Sequence, residues 1–271
     1  MNDTPVNPAG GAPRVVEGRF DGLTAIVTGG ASGMGRAQAL RLAAEGASVA
    51  IIDRDKAGSE AVAHQIAGHG RKSAAFAADL SKQDEVETAL DGALDALGPA
   101  NLLFNNAGIV LVKPYVETTE EEFDRVMAVN VKSAFMVTRR VIPQMIELGG
   151  GSIVMMSSVS SVRGFALEAI YGVSKAAVQS LMMNISVEFR EQGIRCNAVC
   201  PAFVRTPHGL NEIKDFQALG FDWSDDDLAS TQLRICEPEE VADVALFLAS
   251  SDAGFINGVA VPIDNGWLAK A

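Results

Sequence analysis

Aromatic side chains are scarce in this chain: they make up 6% of its 271 residues, with two tyrosines and two tryptophans. A tyrosine set among polar neighbours is therefore a candidate for chemistry rather than a routine filler of core volume. Cysteine is equally thin. Cys196, Cys200 and Cys236 are odd in number and form no Cys-x-x-Cys. With no histidine pair nearby, they read as buried free thiols, with neither a disulfide framework nor a metal site. No apolar run approaches the roughly 18 residues of a membrane helix, and the start MNDTPVNPAGGAPRVVEG lacks the apolar segment of a secretory signal. The expectation is a cytoplasmic protein with no membrane partner and a disordered, Pro/Gly-rich tail over residues 1–18. Positive charge is also in deficit, with 22 Lys and Arg against 34 Asp and Glu and a net charge of −12. That balance argues against nucleic acid as a partner and disfavours docking of an acidic carrier protein.

What the chain does have is rhythm. From residue 23, short apolar runs alternate with longer amphipathic ones: LTAIVT, GRAQALRLAAEG, ASVAIID, then a helix-like stretch to about Ala67. The alternation continues through KSAAFAADL, a run over 82–97, NLLFNN, a long helix over about 119–147, GSIVMMSS, a helix over about 168–192, and IRCNAVCP. With a last strand near VAVPID, this predicts an α/β fold, a doubly wound parallel sheet of about seven strands with helices on both faces. Helix punctuation agrees in phase. Thr119 and Glu122 make a capping box, Gly46 and Gly193 stand where C-terminal glycines belong, and Pro143 is expected to kink or end the fourth helix late. Regularity fails between Pro201 and about Gln232, an insertion placed where such folds carry a substrate lid, around 202–232. No second domain or repeat is evident, so residues 19–271 form one domain.

The stretch TGGASGMG, residues 28–35, directly follows the first strand and opens the first helix. In that context Gly29 permits the tight turn, Gly33 lets backbone approach a pyrophosphate, and Gly35 lets the helix pack closely, with Ser32 and Met34 in the same loop. The second strand ends in Asp53, some 20 residues on, where a carboxylate accepts both ribose hydroxyls of an adenosine and repels a 2′-phosphate. Asp53 favours NAD over NADP as cofactor, and the adjacent Arg54 is a weak counter-signal.

YGVSK, residues 171–175, places Tyr171 and Lys175 one turn apart on one helix face. A tyrosine ordinarily titrates near pH 10, so useful proton exchange near neutrality requires about 4 kcal/mol of differential interaction, of which a lysine cation supplies part. Tyr-x-x-x-Lys alone is common and equally suits a helix surface.

The glycine spacing, NNAG at 105–108 and YGVSK together resemble the short-chain dehydrogenase/reductase (SDR) family over about Phe20 to Trp267. The resemblance implies a single Rossmann-type domain, assembled as a homotetramer through its long helices. It implies Tyr171 as catalytic acid/base, Lys175 lowering its pKa while binding the nicotinamide ribose, and Ser158, thirteen residues upstream of Tyr171, stabilising the substrate oxygen. Asn130 is implied to hold a water linking Lys175 to solvent, while its bland alternative is a mid-helix residue bonding its own backbone. Further implied cofactor contacts are Asp79 and Leu80 at the adenine, Asn106 along the fourth strand, and Val204 and Thr206 at the nicotinamide amide. Two departures stand out: Ala202 replaces the usual glycine after the sixth strand, and Asn265 replaces a glycine near the C-terminus, where it tolerates a left-handed backbone.

The expected reaction is hydride transfer between NAD and a secondary alcohol or ketone, in the direction of alcohol oxidation. Leu210, Phe216, Leu219, Phe221 and Trp223, with Val159 and Phe165, suggest an apolar pocket for a medium-sized or cyclic alcohol, or else pack the lid on the body. His208 reads as an exposed lid residue or as a contact to a polar substrate group, and Asp222 with Asp225 to Asp227 as a solvated acidic face. Competing readings are a 3-oxoacyl-thioester reductase using NADPH and a nucleotide-sensing protein without chemistry. Tyr171→Phe should leave NAD binding largely intact, followed by NADH fluorescence, and lower turnover by at least about a hundredfold; near-normal turnover would remove the tyrosine from the mechanism.

Overall fold

The computed structural model describes residues 15–221 and 223–270. Residues 1–14 of the expected tail lie outside them, and Val16 N–H already meets the Glu45 carboxylate at 3.2 Å. The apolar runs form seven strands: Thr24–Thr28 (β1), Ser48–Asp53 (β2), Ser73–Ala77 (β3), Leu102–Asn105 (β4), Gly151–Met156 (β5), Ile194–Pro201 (β6) and Ala260–Ile263 (β7). They build one sheet in the order β3-β2-β1-β4-β5-β6-β7, every pairing parallel. Connecting helices span Gly33–Ala44 (α1), Lys56–Gly68 (α2), Gln83–Leu97 (α3), Glu120–Met127 (α4), Ser133–Glu147 (α5) and Ala169–Glu188 (α6). Pro207–Ala218 (α7), Asp225–Gln232 (α8) and Pro238–Ala249 (α9) complete the chain.

Alternation along each strand sends successive side chains to opposite faces. Ile26 and Ile153 meet Leu90 of α3, Val137 of α5 and Met182 of α6 in one core. Val27 and Ile51 meet Leu42 of α1, Val62 of α2 and Leu246 of α9 in the other. Each such side chain, fully buried, contributes roughly 1.5–3 kcal/mol. The sheet is thereby clamped between two helical layers, and its strand order reverses at β1 and β4. A crevice opens there beyond the strand ends.

The expected helix over 119–147 forms with its Thr119–Glu122 capping box, yet it is interrupted by a π-helical turn, Ala128–Lys132. Pro143 lies inside α5, which continues four residues further to Glu147, held by buried Val141, Ile142 and Met145, so packing outweighs one lost backbone hydrogen bond. The segment expected to be irregular forms α7 and α8. Thr206 caps α7 by accepting from Gly209 N–H at 2.9 Å and Pro207 occupies its first turn.

Gly35 is where α1 touches the preceding loop, and a Cβ built there stands 2.2 Å from the Gly29 carbonyl oxygen. Gly35→Ala should therefore cost about 1–3 kcal/mol in urea unfolding. Gly68→Ala, where a Cβ meets nothing within 4 Å, should stay within about 0.5 kcal/mol.

Candidate functional site

The crevice is a cavity of about 830 Å³ running from the β1–α1 loop, across the ends of β4 and β5, to α7 and the C-terminal segment. At one end Gly29 takes φ +64° and Gly33 φ +53°, left-handed values that glycine adopts without strain. A Cβ on Gly29 would stand 2.9 Å from Ala107 backbone, and one on Gly33 3.0 Å from the Thr206 methyl, so the loop's bare backbone lines the cavity between two walls. Ser32, Met34 and Gly35 line it too, at the α1 N-terminus. Asp53 closes the end of β2, its carboxylate fixed by Ala31 N–H at 3.1 Å and Asp55 N–H at 3.0 Å. Asp79 accepts from the Ser81 hydroxyl and N–H, which hold its carboxyl below the ordinary range, and Leu80 lies beside it. Asn106 donates its N–H to Thr28 Oγ1 at 3.1 Å, tying the ends of β1 and β4 together. Val204 and Thr206 line the opposite wall.

At the centre stand Ser158, Tyr171 and Lys175, each under 8% exposed. Lys175 Nζ lies 5.7 Å from the Tyr171 ring centroid and donates to the Met156 carbonyl at 2.9 Å. Ser158 hydrogen-bonds Tyr171 and accepts from Ser160 N–H at 3.2 Å. Its neighbour Ser157 instead donates to the Lys175 carbonyl at 3.1 Å, so β5 directs the two serines to different tasks. Asn130 sits behind the cavity, 2% exposed. Its carboxamide pairs with both backbone groups of Ile109, at 2.8 and 2.9 Å, and donates to Ser174 Oγ at 2.9 Å. It therefore bonds neighbouring segments, not its own helix, and the π turn aims it there.

The electrostatics qualify the sequence reading. In the chain alone the Tyr171 phenol is held well above its ordinary pKa, first by burial, then by the charges of Glu212 and Glu168, with the Ser158 hydrogen bond opposing. Lys175 is itself pushed down to about 8 by burial. Lowering of the tyrosine by Lys175, as the resemblance implies, is thus not what the isolated chain supplies, and the phenol is neutral near pH 7.

Several wall residues escaped the sequence reading: Ser160, Glu168, Phe203, Glu212 and Trp267 all line the cavity. Glu168 carried a signal, standing three residues ahead of Tyr171, whereas Glu212 arrives only through the placement of α7. Among the expected apolar residues, Val159, Phe165, Phe216 and Trp223 face the cavity, while Leu210, Leu219 and Phe221 are solvent-exposed and do not. His208 is half-buried with its ring 6.4 Å from that of Tyr171, so it belongs to the cavity rather than to an exposed face. In the acidic stretch, Asp222 and the side chains of Asp225 and Asp226 lie outside the described residues, and Asp227 caps locally onto Ser224. Ala202 keeps a negative φ, while Asn265 takes φ +50° and bonds the Gln232 carbonyl at 3.0 Å. Among the described residues no group of three His, Cys, Asp or Glu side chains could hold a metal ion, and no helix is long and apolar enough to cross a membrane.

A parallel sheet with a glycine-lined crevice and a serine–tyrosine–lysine cluster defines a dinucleotide-type oxidoreductase. The family model described as enoyl-(acyl carrier protein) reductase matches residues 29–268. The chain is 35% identical to 3β-hydroxysteroid dehydrogenase 2 of Eggerthella lenta over 250 residues, 92% of this chain and 95% of that protein. The crystal structure of levodione reductase superposes with a TM-score of 0.89 at 33% identity, covering 93% of this chain and 100% of that one. That of 3-ketoacyl-(acyl-carrier-protein) reductase from Brucella melitensis, complexed with NADH, gives 0.82 at 34%, covering 92% and 99%. The chain belongs to the short-chain dehydrogenase/reductase family, oxidoreductases that act on alcohol or ketone substrates with nicotinamide cofactors.

Because the charges of Glu212 and Glu168 raise Tyr171, replacing both by Gln should lower the tyrosine's pKa. Alcohol oxidation needs the phenolate and so rises with pH. The rising limb of kcat against pH should move to lower pH in this variant, and an unmoved limb would show the acids do not reach the tyrosine.

Proposed function

We propose that this protein is an NAD-dependent dehydrogenase of apolar or cyclic secondary alcohols. The observation that carries the reading is that one continuous cavity brings Ser158, Tyr171 and Lys175 together with the glycine loop and Asp53. Gly29, Gly33 and the α1 amides suit a pyrophosphate, a fit supported by space that any Cβ would fill. Asp53 suits an unphosphorylated ribose. Arg54, the residue that could meet a 2′-phosphate, lies within electrostatic reach of the Asp79 carboxylate, which supports NAD further. Bound there, the nicotinamide supplies the hydride acceptor, and its positive charge favours the phenolate that the chain alone withholds.

The chain's own residues handle the proton. Tyr171 Oη takes the hydroxyl proton of the alcohol, and Ser158 Oγ hydrogen-bonds the oxygen as it becomes a carbonyl. Lys175, buried against Met156, adds positive charge below the tyrosine. Asn130 anchors the chain at Ile109 and α6, and a water between it and Lys175 would reach solvent. For substrate class, Phe165, Phe203, Trp223 and Trp267 form a joined aromatic wall, with ring centroids 4.9–6.0 Å apart. The ring-shaped substrates in the names of related enzymes, a hydroxysteroid and levodione, support the same reading. Half-exposed Phe135 on α5 with Val173, Met183 and Val187 on α6 support a homotetramer formed through these helices, and the cytoplasm is the proposed compartment.

A second reading is reduction of a 3-oxoacyl thioester with NADPH; the name of the Brucella melitensis relative favours such a substrate, while its bound NADH does not favour NADPH. Asp53 and the acidic wall count against it. Initial rates on a panel of cyclic secondary alcohols with NAD⁺ and NADP⁺ separate the two, and kcat/KM should favour NAD⁺ by about tenfold or more, with Asp53→Ser narrowing the gap. A strong preference for NADP⁺ would overturn the cofactor reading, and no turnover with any alcohol would favour the nucleotide-sensing alternative.

A further inference from the structure

The aromatic wall is interrupted at one place by two carboxyl groups. Glu168, the residue before α6, is 4% exposed, and the Glu212 side chain on α7 is 13% exposed. Both line the cavity beside Tyr171, and they hydrogen-bond each other. Two carboxyl groups in such contact hold one proton between them, because two bare carboxylates there would repel. Burial and Glu168 accordingly raise Glu212 well above the ordinary carboxylate range. The shared proton leaves the pair one negative charge.

No cation in the wall forms a salt bridge that would neutralise that charge, although Lys175 attracts Glu212 from a distance. Among the described residues the salt bridges include none to Glu168, and that of Glu212 is with His208 at 4.0 Å. Burial pushes His208 down to about 4, so its ring is neutral and that contact carries no cation near pH 7. Of the lining cations, Lys175 donates to the Met156 carbonyl, while among the described residues Arg54 and Arg125 form no salt bridge with either acid. Glu168 has one further partner, the Ser160 hydroxyl at 2.7 Å, and Ser160 in turn accepts from Ser158 at 3.3 Å. Asp215, also lining the cavity, adds a third acid that raises Glu212. The His208 ring makes no hydrogen bond to any described residue and lines the same space. This corner therefore accepts hydrogen bonds, and it repels anions.

Taking as given the reading of this cavity as an alcohol site, we infer that Glu168 and Glu212 select a substrate bearing a second hydrogen-bond donor, a hydroxyl or an ammonium, away from its reacting carbinol. The aromatic wall receives the body of such a molecule, Tyr171 and Ser158 its reacting end, and the acid pair with His208 its far end. A carboxylate or phosphate in the same place meets negative charge and is rejected.

Four ring alcohols test this with NAD⁺: cyclohexanol, the cyclohexanediol with hydroxyls on opposite carbons, and the aminocyclohexanol and hydroxycyclohexanecarboxylate of the same disposition. In the wild-type enzyme kcat/KM should be about tenfold or more higher for the diol or the amino alcohol than for cyclohexanol, and lowest for the carboxylate. A lead for the amino alcohol identifies charge as the selected property, and a lead for the diol identifies a neutral donor. Replacing both acids, Glu168→Gln together with Glu212→Gln, removes the pair's charge and should shrink the donor advantage to within about threefold and improve the carboxylate relative to cyclohexanol. If that variant does not fold, judged by circular dichroism, the wild-type ranking of the four alcohols carries the test. Turnover of cyclohexanol with no preference for donors, or a preference for the carboxylate, would overturn the inference while leaving the dehydrogenase reading in place. No turnover of any of the four would overturn both.

Discussion

The candidate chemistry depends on a hydrogen bond from the helix to the sheet: Lys175 Nζ donating to the Met156 carbonyl at the end of β5. An ammonium that is 4% exposed has surrendered most of its hydration, a loss that burial registers by pulling Lys175 down to about 8. What surrounds it is arranged accordingly. A Cβ on Gly108 would lie 3.2 Å from Nζ and 3.3 Å from Asn130 Oδ1, so a glycine in NNAG leaves room for both groups. Ser157 donates to the Lys175 carbonyl, fixing α6 on β5 a second time. With α6 so placed, Tyr171, one turn earlier, can only face the crevice.

That dependence explains what the sequence made legible. Strand and helix phase follows from apolar periodicity, because a two-sided parallel sheet needs continuous apolar strands and one-sided helices, and both patterns are local. The glycine loop, Asp53, Ser158, Tyr171 and Lys175 share the property that each stands at a strand end or on one helix face, so counting residues locates them. Asn130 illustrates the limit. Its type and position were readable, but the π turn that aims it at Ile109 depends on bonds to a segment 21 residues away.

The region beyond β6 was the least legible, for a physical reason. Residues 202–232 have mixed composition because α7 and α8 pack on a small satellite core, with Phe203, Ile213, Phe216, Leu228 and Trp267, rather than on the sheet. Only a few positions per helix need be apolar for that, so the periodicity is faint. Exposed Leu210, Leu219 and Phe221 blur it further, and the Cys236 N–H to Phe203 carbonyl bond and the Gln232 carboxamide, which closes the loop onto Phe203, are long-range.

Glu168 and Glu212 share the cavity wall with Phe203, Phe216 and Trp267 of this satellite core and give that wall an electrical role. Tyr171 lies between opposed influences, burial and the acid pair on the α7 side raising it and the Ser158 hydrogen bond lowering it. Without cofactor the acids and burial prevail, and the phenol keeps its proton. A cationic nicotinamide beside Lys175 would shift that balance toward phenolate, so base strength would appear chiefly in the loaded enzyme. A donor lying on the acid pair would act in the same direction, by screening the negative charge that raises the tyrosine. Substrate recognition and proton transfer are then coupled through one electrostatic field, and the residues that set the proton affinity of Tyr171 are the same ones that choose the molecule brought to it.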